Sequence, residues 1–441
     1  MKKGNSVLVI GGGVAGIQAS LDLAERGVKV YLVEKNPSIG GRMAQLDKTF
    51  PTMDCSICIL APKMIECYRH PNIELLTYSE VEEANGSAGD FTVKVLKKPR
   101  FINKNKCTGC GTCSQKCPVK VPNEFDMGLG MRKAIYIQFA QAVPLLPTID
   151  KDNCLYFQRG VCQICQKLCP AGAVDFDQRA EEITLNVSAI IVATGFDLFN
   201  PSIIKEFGYK KYKNVLTGLE LERLVNAAGP TGGRLLRPSD SKMAHKLAFV
   251  QCVGSRSQKK ARGFPYCSSA CCMYATKEAV MVKEHDPESD VLILYNEFRV
   301  FGKGFQDFLN RAKQDYGVKY IRGRPGEILE DPQTKDLTLT YEDTLNRKIM
   351  SSKVDLVVLC TALIPRPDNR KLAHILGVNL DEFDFFKPRD SIYAPIDTKV
   401  PGIFICGYCQ GPKDIPESVA QASGAAARAA EIIASAARVE V

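Results

Sequence analysis

VLVIGGGVAGIQASLDLAERGVKVYLVE, residues 7–34, decides the architecture. Residues 7–10 are a short apolar run, as expected of a strand buried on both faces of a parallel sheet. Apolar positions at helical spacing fill 14–26, and VKVYLVE (28–34) reads as the next strand. Between the first strand and the helix stand Gly11, Gly13 and Gly16 in the order G-x-G-x-x-G. The first allows a tight turn, the second lets the backbone approach a pyrophosphate, and the third lets helix and strand pack closely. The helix N-terminus then faces anionic phosphate. Glu34 ends the second strand, where a carboxylate takes an adenosine ribose. The unit is therefore expected to be a Rossmann-like α/β domain that binds a dinucleotide.

Three stretches further out narrow the cofactor. GGRM (40–43) supplies Gly40, Gly41 and Arg42, SAIIVATGFD (188–197) supplies Thr194 and Gly195, and the closing strand runs into Gly407. Together these resemble the two-dinucleotide-binding-domain flavoproteins such as thioredoxin reductase, and the resemblance implies FAD. In that group the last helix begins at the pyrimidine end of the flavin, a position matched here by Ala420, Gln421 and Ala422. A helix N-terminus there stabilises negative charge on the reduced ring. One departure is plain. Gly407 is followed by Tyr408 where the group carries an Asp for the ribityl chain, with Asp414 as a substitute nearby.

The chain has 18 cysteines. Without a secretion signal, such clusters point to metal or redox work rather than to a disulfide framework. Cys107, Cys110, Cys113 and Cys117, followed by Pro118, have the C-x2-C-x2-C-x3-C-P spacing of bacterial ferredoxins. Cys154, Cys162, Cys165 and Cys169, followed by Pro170, repeat it with seven residues in the first gap. In two-cluster ferredoxins the fourth cysteine ligates the other cluster. The expected sets are thus Cys107, Cys110, Cys113 and Cys169 for one [4Fe–4S] centre, and Cys154, Cys162, Cys165 and Cys117 for the other. Zinc also takes paired C-x2-C, but the C-x3-C-P endings argue against it.

Residues 246–366 contain strand, helix and strand again, as AFVQCV, MYATKEAVMVKEH and VLILYNEF. A nicotinamide site would need a glycine-rich turn after the first of these. Only Gly254 is left, and Cys252, Cys267, Cys271 and Cys272 stand in its place. They are read as ligands of a third [4Fe–4S] cluster, with buried inert thiols and a redox-active thiol pair as alternatives. Cys55 and Cys58 form a C-x2-C near GGRM, and three readings stay open: a redox pair, two ligands of a cluster completed elsewhere, or structural thiols. Cys67, Cys360, Cys406 and Cys409 read as small buried residues, with a place beside the flavin open to Cys409.

The organisation that follows is an α/β flavoprotein interrupted by an α+β ferredoxin. Residues 1–102 are the first part of the FAD domain and 103–178 the inserted two-cluster domain. Residues 179–245 are the second part of the FAD domain, 246–366 a nucleotide-type domain without its fingerprint, and 367–441 the closing part. At 441 residues and 45% hydrophobic composition the chain can bury several cores. It has no apolar run of about 18 residues. The two N-terminal lysines and short strand superficially suggest a secretion signal, but no cleavage site follows, so a cytoplasmic protein is expected. A net charge of +9 reads first as ordinary solubility, with docking to acidic protein partners as the functional alternative, and the absence of basic blocks argues against nucleic acid. The four histidines are scattered, and no C-x2-C-H for covalent haem occurs.

Together the residues resemble the family of heterodisulfide reductase A subunits. The likeness is carried by GGGVAGIQASLDLAERG, VEKNPSIGGRMAQLDKTFPTMDCSICILAPKM, HPNIELLTYSEV, YCSSACCMYATKEA and GPKDIPESVAQASGAAARAA, with the first cysteine run and the CPVKVPNEFDMGLGMRKAIYIQFAQAVP that follows. It implies FAD, a ferredoxin insert and a complex with subunits of the B/C type, with hydrogenase or dehydrogenase subunits, and with ferredoxin; a homodimer is compatible with it. Methanogen members carry additional N-terminal and C-terminal domains, and the redox centres of those domains are expected either to come from partners or to be unnecessary. The expected function is an FAD and [4Fe–4S] electron-transfer subunit, bifurcating or confurcating electrons between ferredoxin and its partners. The alternatives are a stand-alone flavin disulfide reductase working through Cys55 and Cys58 or Cys271, a scaffold subunit, and a subunit of a benzoyl-CoA reductase or quinone-linked complex.

Overall fold

The computed structural model describes residues 5–438. The N-terminal lysines and the last three residues of the closing segment lie outside the described residues. The glycine-rich unit forms as its apolar pattern requires. Strand Ser6–Ile10 is buried throughout and lies parallel between Ala189–Val192 and Lys29–Glu34. Ile73–Thr77 and Ile403–Ile405 complete a five-stranded parallel sheet on its two edges. Helix Val14–Ala24 packs on one face with the closing helix Ile415–Arg438, whose Ala422, Ala425, Ala426 and Ala429 are buried in the shared core. Small side chains let these two helices approach closely.

A three-stranded antiparallel sheet explains how a ferredoxin is spliced in without breaking this fold. The chain leaves on Asp90–Lys97 and returns on its direct neighbour, Glu181–Val187, with Phe91 opposite Val187 and Lys97 opposite Glu181. Ser79–Ser87 pairs on the other side. The two ends of the insert are adjacent, so it hangs from one antiparallel pair while the parallel sheet stays continuous. The insert has two short helices, Thr112–Lys116 and Ile164–Lys167, and two ribbons, Lys120–Pro122 with Met131–Lys133 and Ile135–Tyr136 with Thr148–Ile149. Its core combines Phe101, Ile102, Ile135, Ile149, Val174 and Phe176 with Cys113, Cys117 and Cys165.

The third region is a second five-stranded parallel sheet, in the order Val215–Thr217, Leu356–Thr361, Lys246–Val253, Asp290–Tyr295 and Lys319–Arg322. This corrects the expected boundary at 246. Strand Val215–Thr217 and helix Gly218–Val225 belong to this second sheet and its core, not to the FAD domain. The edge strand has only three residues, which is why periodicity does not reveal it. Among the described residues no helix is long and apolar enough to cross a membrane.

Candidate functional site

The order of the parallel sheet reverses between Ser6–Ile10 and Ala189–Val192, and ligands of open α/β sheets bind in the crevice at the carboxyl ends there. A cavity of about 720 Å³ opens at that point. Gly11, Gly13, Glu34, Gly41, Arg42, Thr194, Gly195 and Gly407 all line it. Gly16 does not; a Cβ there would stand 1.8 Å from the Gly11 carbonyl oxygen, so its role is helix–strand packing. Gly13 is the opposite case. A Cβ on it would meet nothing within 4 Å, so the turn leaves a cradle open to a phosphate. Gly40 also stays behind the wall, its N–H donating to the Gly12 carbonyl at 2.7 Å.

Glu34 closes the adenosine end. One carboxylate oxygen accepts the Gly12 N–H at 2.7 Å, and the other accepts the Asn36 N–H and side-chain amide at 2.8 Å each. Burial pushes its carboxyl above the usual range, while these donors work to hold it ionised. Arg42 pairs with Asp197 and donates to Gln45 Oε1 at 3.0 Å. Burial lowers its pKa. These residues fit an FAD whose pyrophosphate lies at Gly13 and whose ribose lies at Glu34.

The expected start of the last helix needs correction. It begins at Ile415, not at Ala420, Gln421 and Ala422. Asp414 and Glu417 form a reciprocal cap, the Glu417 N–H donating to Asp414 Oδ1 at 2.9 Å and the Asp414 N–H to Glu417 Oε2 at 2.8 Å. Pro416 suits the first turn, where its missing N–H costs nothing. Lys413, Asp414, Ile415, Pro416 and Ser418 line the cavity instead. Ala422 faces the core, Ala420 is exposed, and Gln421 Oε1 accepts the Gly407 N–H at 2.9 Å, so Gln421 holds the turn behind the wall. Tyr408, in the position of the missing Asp, turns its hydroxyl away and donates to the Ser268 carbonyl at 3.2 Å.

Two groups of wall residues escape a reading of the sequence. Glu124, Phe125, Gln138 and Phe139 come from the ferredoxin insert, with Phe125 and Phe139 stacked at 4.7 Å. Glu222, Tyr274, Lys277 and Glu278 come from the second sheet's helices. Lys277 and Glu222 form an ion pair whose side chains are both 1% exposed. Burial lowers Lys277 to about 8 and raises Glu278 to about 7. Adjacent Lys277 and Glu278 in one helix ordinarily signal a solvent face. The one hint is that their neighbours on every side of the helix are apolar or small.

The cysteine sets come together as their spacing requires. Cys113 is held up at about 11, by burial first and then by the neighbouring sulfurs of Cys107, Cys110 and Cys169. Cys117, Cys154, Cys162 and Cys165 line one small cavity with Pro118 and Ile135 around them. Cys162 adopts φ 91°, a left-handed conformation that follows the inserted loop. The fold thus brings Cys107, Cys110, Cys113 and Cys169 near one another, and Cys117, Cys154, Cys162 and Cys165 around one cavity. Among the described residues no three Cys, His, Asp or Glu side chains converge as on a single metal ion. A cubane interposes its own irons and sulfides and does not require that convergence.

Cys252, Cys267, Cys271 and Cys272 also gather, at the carboxyl end of strand Lys246–Val253 and the start of helix Cys271–His285. Cys252, Cys271 and Cys272 are buried and Cys267 is half-buried. Cys271 lies near Cys272, Cys252 and Cys267, whose sulfurs add to burial in raising its pKa. Three features fit an inorganic sulfide-bearing group here. The Arg299 N–H donates to Cys272 Sγ at 3.4 Å. Arg256 lies beside Cys252 and Cys267, and its Nη1 is buried without a hydrogen-bond partner. Cys252 itself adopts φ 60°. By contrast, no phosphate cradle survives at Gly254, where a Cβ would meet the Phe199 ring at 2.3 Å.

Cys55 and Cys58 are joined as a disulfide with Cα atoms 5.3 Å apart, at the start of helix Ser56–Arg69. Asp54 and Ile59, on either side, touch the flavin cavity. Cys67, Cys360, Cys406 and Cys409 are buried thiols. Cys409 lies behind the wall, against the Val192 carbonyl at 3.3 Å.

Comparison with known proteins agrees with this assembly. Residues 6–53 match the FAD dependent oxidoreductase family and residues 100–123 the 4Fe-4S binding domain family. The chain is 56% identical over 421 residues to the iron–sulfur A subunit of the CoB–CoM heterodisulfide reductase of Methanocaldococcus jannaschii, covering 96% of this chain and 63% of that protein. It is 52% identical over 428 residues to the A subunit of the H2:CoB–CoM heterodisulfide,ferredoxin reductase of Methanothermobacter thermautotrophicus, covering 97% and 63%. The chain thus spans slightly under two thirds of the length of these relatives. Among solved structures, the thioredoxin reductases of Lactococcus lactis and T. acidophilum share its fold at 14% identity. Their TM-scores are 0.53 and 0.52, with coverage of 98% and 97% of this chain and 99% and 98% of theirs.

Proposed function

We propose, from its membership of the family of heterodisulfide reductase A subunits, that the chain is an electron-transfer unit. In this reading it joins one FAD to three [4Fe–4S] centres, and it bifurcates or confurcates electrons between ferredoxin and partner redox subunits. The observation that carries the reading is the shared wall. The insert that holds eight of the cysteines also places Phe125 and Phe139 in the flavin cavity. When bound, FAD exchanges an electron pair and each cluster a single electron, so that a junction between them can divide a pair.

The chain's own residues position and tune. Gly13 and the helix behind it accept pyrophosphate, and Glu34 accepts ribose hydroxyls. Lys277, paired to Glu222 and walled from water, offers a cation to negative charge developing in the cavity, where low dielectric strengthens it. Arg256 and the Arg299 N–H donate toward the third cysteine set, which lowers the cost of negative charge there.

The second sheet has exchanged its nucleotide turn for cysteines, so nicotinamide is not the direct donor in this reading. Anaerobic reduction tests that. Reduced ferredoxin is expected to bleach the flavin absorbance, and NADPH to leave it unchanged. The Cys55–Cys58 disulfide beside the cavity favours one rival, a flavin disulfide reductase. Bleaching by NADPH, with a small disulfide restoring the oxidised spectrum, would establish that rival and overturn the proposal.

A further inference from the structure

One surface next to the third cysteine set is built unlike the rest. The segment from Gly254 to Tyr266 folds back on itself, Arg256 N–H donating to the Tyr266 carbonyl at 2.9 Å and Phe264 N–H to the Gly254 carbonyl at 2.8 Å. The fold-back lays Arg256 beside Cys252 and Cys267 and leaves Lys259 and Lys260 exposed. Arg262 and Arg324 stand close by, Arg324 within electrostatic reach of both Cys252 and Arg262. From the other side comes the segment that touches Cys272, with Arg299 exposed and Phe301 57% exposed.

The acidic groups that answer these six cations are few. Glu297 pairs with Arg256 and Glu206 with Arg262. With Arg256 and Arg262 so paired, Lys259, Lys260 and Arg299 remain as exposed positive charges, with the exposed Phe301 two residues beyond Arg299, beside a thiol set that Arg256 flanks. A charged rim with an apolar contact is how electron carriers dock transiently: complementary potential steers the encounter and sets orientation, while little buried area keeps release fast.

We infer that this positively charged surface is the docking face for a small acidic iron–sulfur carrier, which exchanges electrons with the centre held by Cys252, Cys267, Cys271 and Cys272. The inference rests on the reading of those four residues as an iron–sulfur site. Each docking moves one electron, one centre gaining what the other loses, with no bond made and no proton transferred. The two-cluster insert offers the competing face, where Lys116 and Lys120 are exposed beside Cys117.

The test uses the FAD- and iron-loaded chain and an acidic two-cluster ferredoxin as probe. Binding is measured by calorimetry, with the KM and kcat for flavin reduction by that ferredoxin. In the K259E/K260E variant, binding weakens by about tenfold and KM rises while kcat holds. The loss of affinity between about 0.05 and 0.3 M salt becomes shallower. The K116E/K120E variant stays within about twofold of the parent. Both pairs are exposed, and unchanged iron and FAD content confirms that each variant is folded. Unchanged binding in K259E/K260E, or equal weakening in both variants, overturns the inference. If binding is unchanged in K259E/K260E while the parent carries about twelve irons per FAD, only the face was misassigned. If the parent itself carries about eight, the underlying iron–sulfur reading fails first.

Discussion

Gly13 and Gly16 are separated by less than a helical turn, yet they answer substitution differently. Gly16→Ala drives a Cβ to 1.8 Å from the Gly11 carbonyl oxygen, which forces helix and strand apart and costs about 3 kcal/mol or more. Gly13→Val meets no protein atom at its Cβ. It is expected to leave the melting temperature of the FAD-free chain nearly unchanged while abolishing FAD retention on gel filtration. The G-x-G-x-x-G pattern makes both positions legible, because each glycine's task follows from backbone geometry alone. Glu278 is not legible, because its meaning depends on which side of a helix is covered. Burial holds its carboxyl at about 7 in the folded chain against 4.5 when exposed. Between those values the folded chain keeps a proton that the unfolded chain has lost. Its contribution to stability is therefore greatest at low pH and falls as pH rises from 4.5 to about 7. Glu278→Gln is expected to flatten that part of the melting-temperature profile and to be at least as stable as the parent at about pH 8. A parallel slope in both proteins would contradict the assignment.

Among the elements, strands are the most legible and the ends of helices the least. The parallel strands are apolar on both faces, and burial of such runs leaves few alternatives. The closing helix shows what is hard. A family likeness puts its functional start at Ala420, but the chain marks its own start earlier, with Asp414 as cap, Pro416 in the first turn and Glu417 reaching back. That signature lies in the sequence and outranks the likeness. Asp414→Ala removes one side of the reciprocal cap and is expected to cost about 1 kcal/mol. Amide exchange should speed up in the first turn of this helix and leave its Ala-rich body protected. The gathering of the cysteine runs is legible, because their spacing brings the sulfurs of each run close together. What spacing does not show is Arg256 lying against the third set, since the contact is made by a fold-back with no pattern of its own.

At the scale of the whole molecule, the insert works because it is tied down at two places. Its antiparallel stem continues the FAD domain, and its far side is held by the buried pair of Arg223 with Asp126 at 3.0 Å, Gln45 adding a bond to the Phe125 carbonyl at 2.8 Å. Asp126→Ala leaves the buried Arg223 without its carboxylate partner, at a cost of about 3–5 kcal/mol. It is expected to loosen Phe125 and Phe139 from the flavin cavity, so flavin reduction by ferredoxin should slow while the iron content is preserved. The domain plan is legible from motif order. The boundary at 246 is not, because a three-residue edge strand carries too little pattern to be claimed for either sheet. Whether a third centre replaces the nicotinamide site is read from the iron and acid-labile sulfide content per FAD in anaerobically purified protein. Three centres require about twelve of each per FAD. A content of about eight would contradict the third centre, leaving Cys252, Cys267, Cys271 and Cys272 as thiols and the ferredoxin insert as the only wire.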